Sequence, residues 1–215
     1  MVQPSGMAGG LAADLDILIY SNTDPLLFLT FHRQFTHSLI FIPFGGLITA
    51  LLVHWVLGRR WQLRFWQTAL LCSLGYATHA LLDTATSYGT MLRWPFVETR
   101  YSWSVISIVD PLFTLPLALF VVMAAARNDP GLARIGLVWG LVYLGAGWWQ
   151  HQGAREIAEN LAASRGHAPL RFEIKPSFGN ILVWKSIYEA EGKFLLMLCE
   201  SASLPKCTKV YPSPN

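Results

Sequence analysis

Between residues 38 and 149 the chain carries four long apolar runs separated by short polar connections, and this pattern constrains its fold more than any other feature. The runs are 38–57, 65–82, 109–126 and 135–149, of 20, 18, 18 and 15 residues. A helix needs about 17–25 predominantly apolar residues to cross the hydrocarbon core of a bilayer. The first three runs meet that length. The fourth, with Gly136, Gly140, Gly145 and Gly147, reads as a closely packed span, with a buried or re-entrant helix as its alternative. Only 13% of the 215 residues are charged, 53% are hydrophobic and the mean hydropathy is +0.39. A soluble domain carries about 25% charge, so disorder is excluded and an ordinary soluble domain is disfavoured. The expected fold class is an all-α multi-pass membrane protein with about four transmembrane helices and a small C-terminal α+β segment.

The expected organisation is an N-terminal segment (1–37), a helical membrane domain (38–150), a small extramembrane α+β unit (151–200) and a disordered tail (201–215). The run 7–20 is broken by Asp14 and Asp16 and has no basic region before it, so it reads neither as a span nor as a signal peptide. Arg59, Arg60 and Arg64 between the first two runs, with Arg127 and Arg134 between the last two, place those connections in the cytoplasm. The N-terminus and the loop 83–108 then face outward. The net charge of +3 is too weak to indicate nucleic acid, and Cys72, Cys199 and Cys207 form no disulfide framework or zinc spacing.

Three polar groupings border these runs: Asp14-Leu15-Asp16, the segment from His32 to Ser38, and His79-Ala80-Leu81-Leu82-Asp83. On the expected topology all three share the outer face. His79 and Asp83 lie four apart, so a helix stacks them as a two-ligand clip. Imidazoles and carboxylates together suit zinc, manganese or iron. The candidate ligands are His32, His37, His79, Asp83, Asp14 and Asp16, for one or two divalent ions, with zinc or manganese favoured. Arg33, Thr36 and Ser38 offer donors to an anionic group such as phosphate. Asp110 begins the third run and is the candidate for orienting a ligand histidine from behind.

His32-Arg-x-x-Thr36-His37-Ser38, His79-x-x-x-Asp83-x-x-Thr86-x-x-Gly89, Trp94-Pro95-Phe96 and Ser107-Ile-Val-Asp110-Pro111 together resemble the YdjM/YbcI-like family of inner-membrane, metal-dependent hydrolases, also described as LexA-binding. The likeness covers roughly residues 8–190. It departs where the family has Pro-Asp-x-Asp and this chain has Ala13-Asp14-Leu15-Asp16, and where members begin with a further apolar segment. The resemblance implies a bacterial inner-membrane protein with a hydrolytic metal site, which the topology puts on the periplasmic face.

The leading reading is therefore a membrane-bound hydrolase of a phosphoester or another membrane-associated ester. Its partners are the lipid bilayer and a small-molecule or lipid substrate. Arg33 would stabilise developing charge, with Asp110 and Ser38 in support. A carrier is the alternative for intramembrane ionisable groups, disfavoured because these groups gather at the ends of the runs. A scaffold with a structural metal is the third reading, and sequence leaves it open against catalysis.

Overall fold

A computed structural model describes residues 4–19, 23–24, 27, 31–58, 63–190, 192–200 and 206–212. The chain divides into two compact units, Met1–Trp103 and Ser104–Asn215.

Among the described residues, the first unit contains the α-helices α1 (Ser5–Ala13), α2 (Ile42–Val53) and α3 (Phe65–Ala85). Helix α1 is so rich in glycine and alanine that its backbone lies directly against α3. A Cβ on Gly9 would collide with the Cys72 backbone, and one on Gly75 with the Gly6 backbone. Gly45 and Gly46 of α2 seat in the same way against Tyr76 and Ser73. These close approaches exclude side chains from the crossings. They deliver the C-terminal end of α1 to the last turns of α3, with Gly10 beside His79.

A 3-10 turn (Asp14–Leu18) follows α1, and α2 runs on into a π turn (His54–Gly58). Helix α3 opens with Arg64 and Gln67 bonding reciprocally and closes at Thr86, whose hydroxyl donates to the Asp83 carbonyl at 2.7 Å. The loop beyond folds back on itself through the Thr90–Tyr101 bridge, where Gly89 takes φ +71° against the Tyr101 carbonyl. It also receives the 32–41 segment, through Met91 N–H donating to the Arg33 carbonyl and Leu39 N–H to that of Leu92.

In the second unit, Asp110 and Asp129 cap two helices that each begin with proline, α4 (Pro111–Arg127) and α5 (Pro130–Ser164). Asn128, left-handed at φ 51°, turns the chain between them. Gly136 lets α5 approach Phe120 of α4. An antiparallel sheet follows in the order β1 (Arg171–Pro176), β2 (Val183–Ala190), β3 (Lys193–Glu200) and β4 (Lys206–Pro212). Trp184, Tyr188, Met197 and Cys199 form its buried face.

This architecture corrects the expected all-α, four-span fold class. Among the described residues, α5 is the one helix long and apolar enough to cross a membrane. The run 38–57 holds no charge, but its first residues are turns and its regular helix is only 12 residues long. Helix α4 has 17 residues and also falls short. Helix α3 has the length, at 21 residues, but Gln67, Thr68, Ser73, Thr78, His79 and Asp83 lower its hydropathy. The helix expected after residue 150 is the continuation of α5, and the stretch read as a disordered tail supplies β4, with 201–205 and 213–215 outside the described residues. Arg59 and Arg60, which weighed in the orientation argument, also lie outside them. Where composition implied no disulfide framework, Cys199, opposite Cys207 in the register, is disulfide-bonded.

Candidate metal centre

Asp16 organises the site. The 3-10 turn after α1 drives its carboxylate inward, where it is almost fully buried, and the 32–36 segment wraps around it. His32 Nδ1 lies 3.0 Å from Oδ1, and Oδ2 accepts from Arg33 N–H at 2.8 Å and from the Thr36 hydroxyl at 2.6 Å. Arg33 adopts a left-handed backbone at φ 58°, a conformation a non-glycine residue takes at a cost. The Asp16 carboxylate bonded to its N–H compensates.

The Thr36 hydroxyl has one proton, and Asp16 takes it. Towards His37 Nδ1, 2.9 Å away, that hydroxyl can then only accept. The relay fixes Nδ1 as the protonated nitrogen of a neutral His37 and turns the lone pair of Nε2 towards Asp14 and Asp83.

Three elements converge there. His37 Nε2 lies 3.1 Å from Asp83 Oδ2 and 3.5 Å from Asp14 Oδ1. His79 Nε2 lies 3.3 Å from each of Asp83 Oδ2 and Asp14 Oδ2. One ligand atom from each of Asp14, His37, His79 and Asp83 falls within 4.8 Å of the others. Yet Asp14 Oδ1, His37 Nε2, His79 Nε2 and Asp83 Oδ2 are buried without a hydrogen-bond partner. Buried polar atoms are normally satisfied, and two imidazole nitrogens facing two carboxylates at this spacing fit a shared cation. Ligand bonds of about 2.0–2.2 Å give tetrahedral edges of roughly 3.3–3.6 Å, close to the separations of His37 and His79 from Asp83 Oδ2, with one or other Asp14 oxygen at similar distance from each imidazole. The donor set suits zinc or manganese.

The electrostatics agree. Contact with the imidazoles of His37 and His79 outweighs burial at Asp14 and holds its carboxyl far below the usual range. Burial would raise Asp83, but the same imidazoles and the Arg33 charge bring it down to about 2. For His37, burial opposes the charged form, yet contacts with Asp14 and Asp83 prevail and raise its pKa above the ordinary 6.5. In the absence of an ion, protons compensate the two carboxylates.

The six residues predicted as ligands thus fall into two layers. Asp14, His37, His79 and Asp83 come together, while His32 and Asp16 pair with each other behind them. Arg33 sits at the edge, with Nε 3.0 Å from Asp83 Oδ2, Nη1 donating to the Thr86 hydroxyl at 3.3 Å, and its guanidinium over Tyr88. Ser38 is fully buried, its hydroxyl donating to the Phe35 carbonyl and accepting from Phe41 N–H. Asp110 lies in the second unit, where its carboxylate accepts from Phe113 N–H and the Tyr143 hydroxyl. Arg100 was not anticipated. It stacks on Tyr88 and donates to the His32 and Gly89 carbonyls, bracing the segment that carries His37. An isolated arginine in a long loop offers no periodic signal that would have revealed it.

The model of the YdjM inner membrane protein family matches residues 2–154. Over 131 residues the chain is 29% identical to Inner membrane protein YbcI of Escherichia coli (strain K12), covering 56% of this chain and 68% of that protein. It is 24% identical over 131 residues to Uncharacterized protein YfhP of Bacillus subtilis (strain 168), covering 61% of this chain and 39% of that protein. The chain therefore spans about two fifths of the second relative's length. No solved structure matches it. The matched stretch contains every residue of the histidine–aspartate cluster and extends over well more than half of the chain, so this chain belongs to the YdjM family of inner membrane proteins.

Proposed function

We propose that the protein is a membrane-bound, metal-dependent hydrolase of a phosphoester or another membrane-associated ester. One observation carries the reading: ligand atoms of two imidazoles and two carboxylates, brought together from three elements, lie within 4.8 Å of one another. Asp14, His37, His79 and Asp83 would hold the divalent ion, zinc or manganese. Such an ion supplies Lewis acidity at neutral pH, lowering the pKa of water from about 15.7 to about 7 in zinc enzymes. Asp16 and Thr36 hold His37 in its tautomer. Asp14, with 40% of its side chain exposed, marks the open side where substrate enters. Arg33, ion-paired through Nε with Asp83 at 3.0 Å, puts a fixed positive charge beside the centre, where it would stabilise negative charge on a substrate oxygen. Hydrolysis adds water across the ester: its oxygen bonds to phosphorus or to the acyl carbon, the bond to the alcohol breaks, and the alcohol leaves with a proton.

A second reading has one observation in its favour. Four protein donors suffice to close a tetrahedral shell, as in structural zinc sites, whereas catalytic sites keep a position open. Metal analysis of detergent-purified protein, beside His79→Ala, tests the centre itself. Zinc- or manganese-loaded protein should hydrolyse a generic phosphoester such as p-nitrophenyl phosphate or a lipid ester. Chelation, His37→Ala and Asp83→Ala should each abolish that activity. Stoichiometric metal with no hydrolysis across a broad ester panel would establish the structural reading instead.

A further inference from the structure

A cavity of about 470 Å³ opens between α1, α2 and Tyr76 of α3. Leu11, Leu15, Ile19, Phe41, Ile48 and Leu52 supply much of its wall. Its volume is in the range of small-molecule sites, about 300–1,000 Å³. Of the polar side chains that reach it, Thr49, Thr36 and Asp16 are already engaged, which leaves the Tyr76 hydroxyl as a lone polar group on an apolar wall. The Thr49 hydroxyl donates to the Gly45 carbonyl at 2.8 Å, and Thr36 and Asp16 bond each other at 2.6 Å. A sugar, a nucleotide or a peptide backbone would leave its own polar groups unpaired against such a wall. Hydrocarbon would not.

Two further facts say which hydrocarbon. The cavity ends on Asp16 and Thr36, the pair that holds His37, so one layer of side chains separates it from the metal centre. At its mouth Leu11, Leu15, Ile48 and Leu52 are more than half exposed, and a large apolar opening of this kind marks an interaction site in a protein that faces lipid. A molecule with an apolar tail and an ester head matches this continuity.

We propose that the cavity takes one acyl chain of a membrane lipid, so that the ester presented to the Asp14–His37–His79–Asp83 centre is a lipid's. The identity of the substrate rests on the hydrolase reading; the acyl site does not.

The test uses the full chain, zinc-loaded, in phosphatidylethanolamine–phosphatidylglycerol vesicles with a trace of palmitoyl lysophospholipid bearing a terminal diazirine. Photolabelling should concentrate on peptides of α1 and α2. Ile48→Trp and Leu52→Trp, which fill the cavity from exposed positions, should each cut that labelling about tenfold with bound zinc unchanged. In parallel, Ile48→Trp should raise KM about tenfold for a long-chain phosphoester and leave a short-chain one unaltered. Labelling that ignores both substitutions, spreads evenly over α4 and α5, or is displaced by cross-links to a second copy of the chain overturns the acyl site, even if hydrolysis persists. Cavity labelling without hydrolysis of either ester upholds the acyl site and overturns the hydrolase reading.

Discussion

Thr36 carries more of this site than its size suggests. Its hydroxyl links a buried carboxylate to the imidazole behind the ligand face, and both depend on one proton position. Thr36→Val keeps the shape and removes the relay. Metal affinity is expected to fall about 10–100-fold and stability by about 1–3 kcal/mol, read by chelator competition and thermal unfolding. An unchanged affinity would deny Thr36 its orienting role. Protons act at the same place. The raised pKa of His37 lends the ion-free protein stability that is complete below 6.5 and fades as pH rises through the raised value. The depressed carboxyls of Asp14 and Asp83 lend stability that is complete above 3.8 and fades as pH falls through their low values. The cluster therefore supports the ion-free fold best between 3.8 and 6.5. A metal must displace the protons of both His37 and His79, the latter, despite burial, raised to about 9 by its contacts with Asp14 and Asp83. Apparent affinity should therefore rise by up to about a hundredfold per pH unit while both imidazoles are protonated. Affinity that is flat from about pH 5.5 to 6.5 in the same competition assay would show that neither imidazole gives up a proton to the metal.

At the scale of elements, backbone contact between α1 and α3 sets the position of Asp14. Gly9→Val would push the helices apart at the Cys72 backbone. A cost of about 1–3 kcal/mol and a loss of metal binding should follow together. Gly145→Ala is the control, because nothing lies within 4 Å of its Cβ position; it should be neutral or stabilise α5 by up to about 1 kcal/mol. A Gly9→Val protein that still binds metal at full stoichiometry would detach the helix crossing from the site. Asp110 caps α4 and meets Tyr143. Asp110→Ala should lower stability by about 1–2 kcal/mol with bound metal retained. Metal lost without unfolding would give Asp110 the orienting role that its place in the sequence suggested.

For the whole molecule, large apolar side chains are exposed on every described α-helix, as suits a member of an inner-membrane family. The apolar window of α5 is only 22% buried, unlike the core helix of a soluble protein, and Leu137, Leu141, Val142 and Trp149 are exposed along it. The site is proposed to lie on the periplasmic face. Glu98→Cys, an exposed position in the loop after α3, should then react with an impermeant thiol reagent in intact cells. Gly89 is unsuitable as a reporter, because its positive φ and the nearby Tyr101 carbonyl would strain any side chain. Labelling of Glu98→Cys only after lysis would place the loop in the cytoplasm.

Residue type and spacing alone determined the family and a candidate set of cation ligands. His79 and Asp83 share a helix face because of the α-helical repeat, and imidazoles with carboxylates near one another in an apolar chain point to a cation before any coordinates exist. Charge depletion likewise reveals an apolar protein. It does not reveal how long each helix is, because an uncharged run can hold turns, a short helix and a π turn in succession, as 38–58 does. The terminal sheet was half legible, since Gly179-Asn180 and Gly192 mark its turns while β4 has no period of its own. Only the tertiary structure separated the ligand layer from its support. Asp14 and Asp16 are two residues apart with the same chemistry. One faces His37 and His79 and the other the 32–36 segment because a 3-10 turn splays these alternate side chains and two glycine-lined crossings fix where that turn lands.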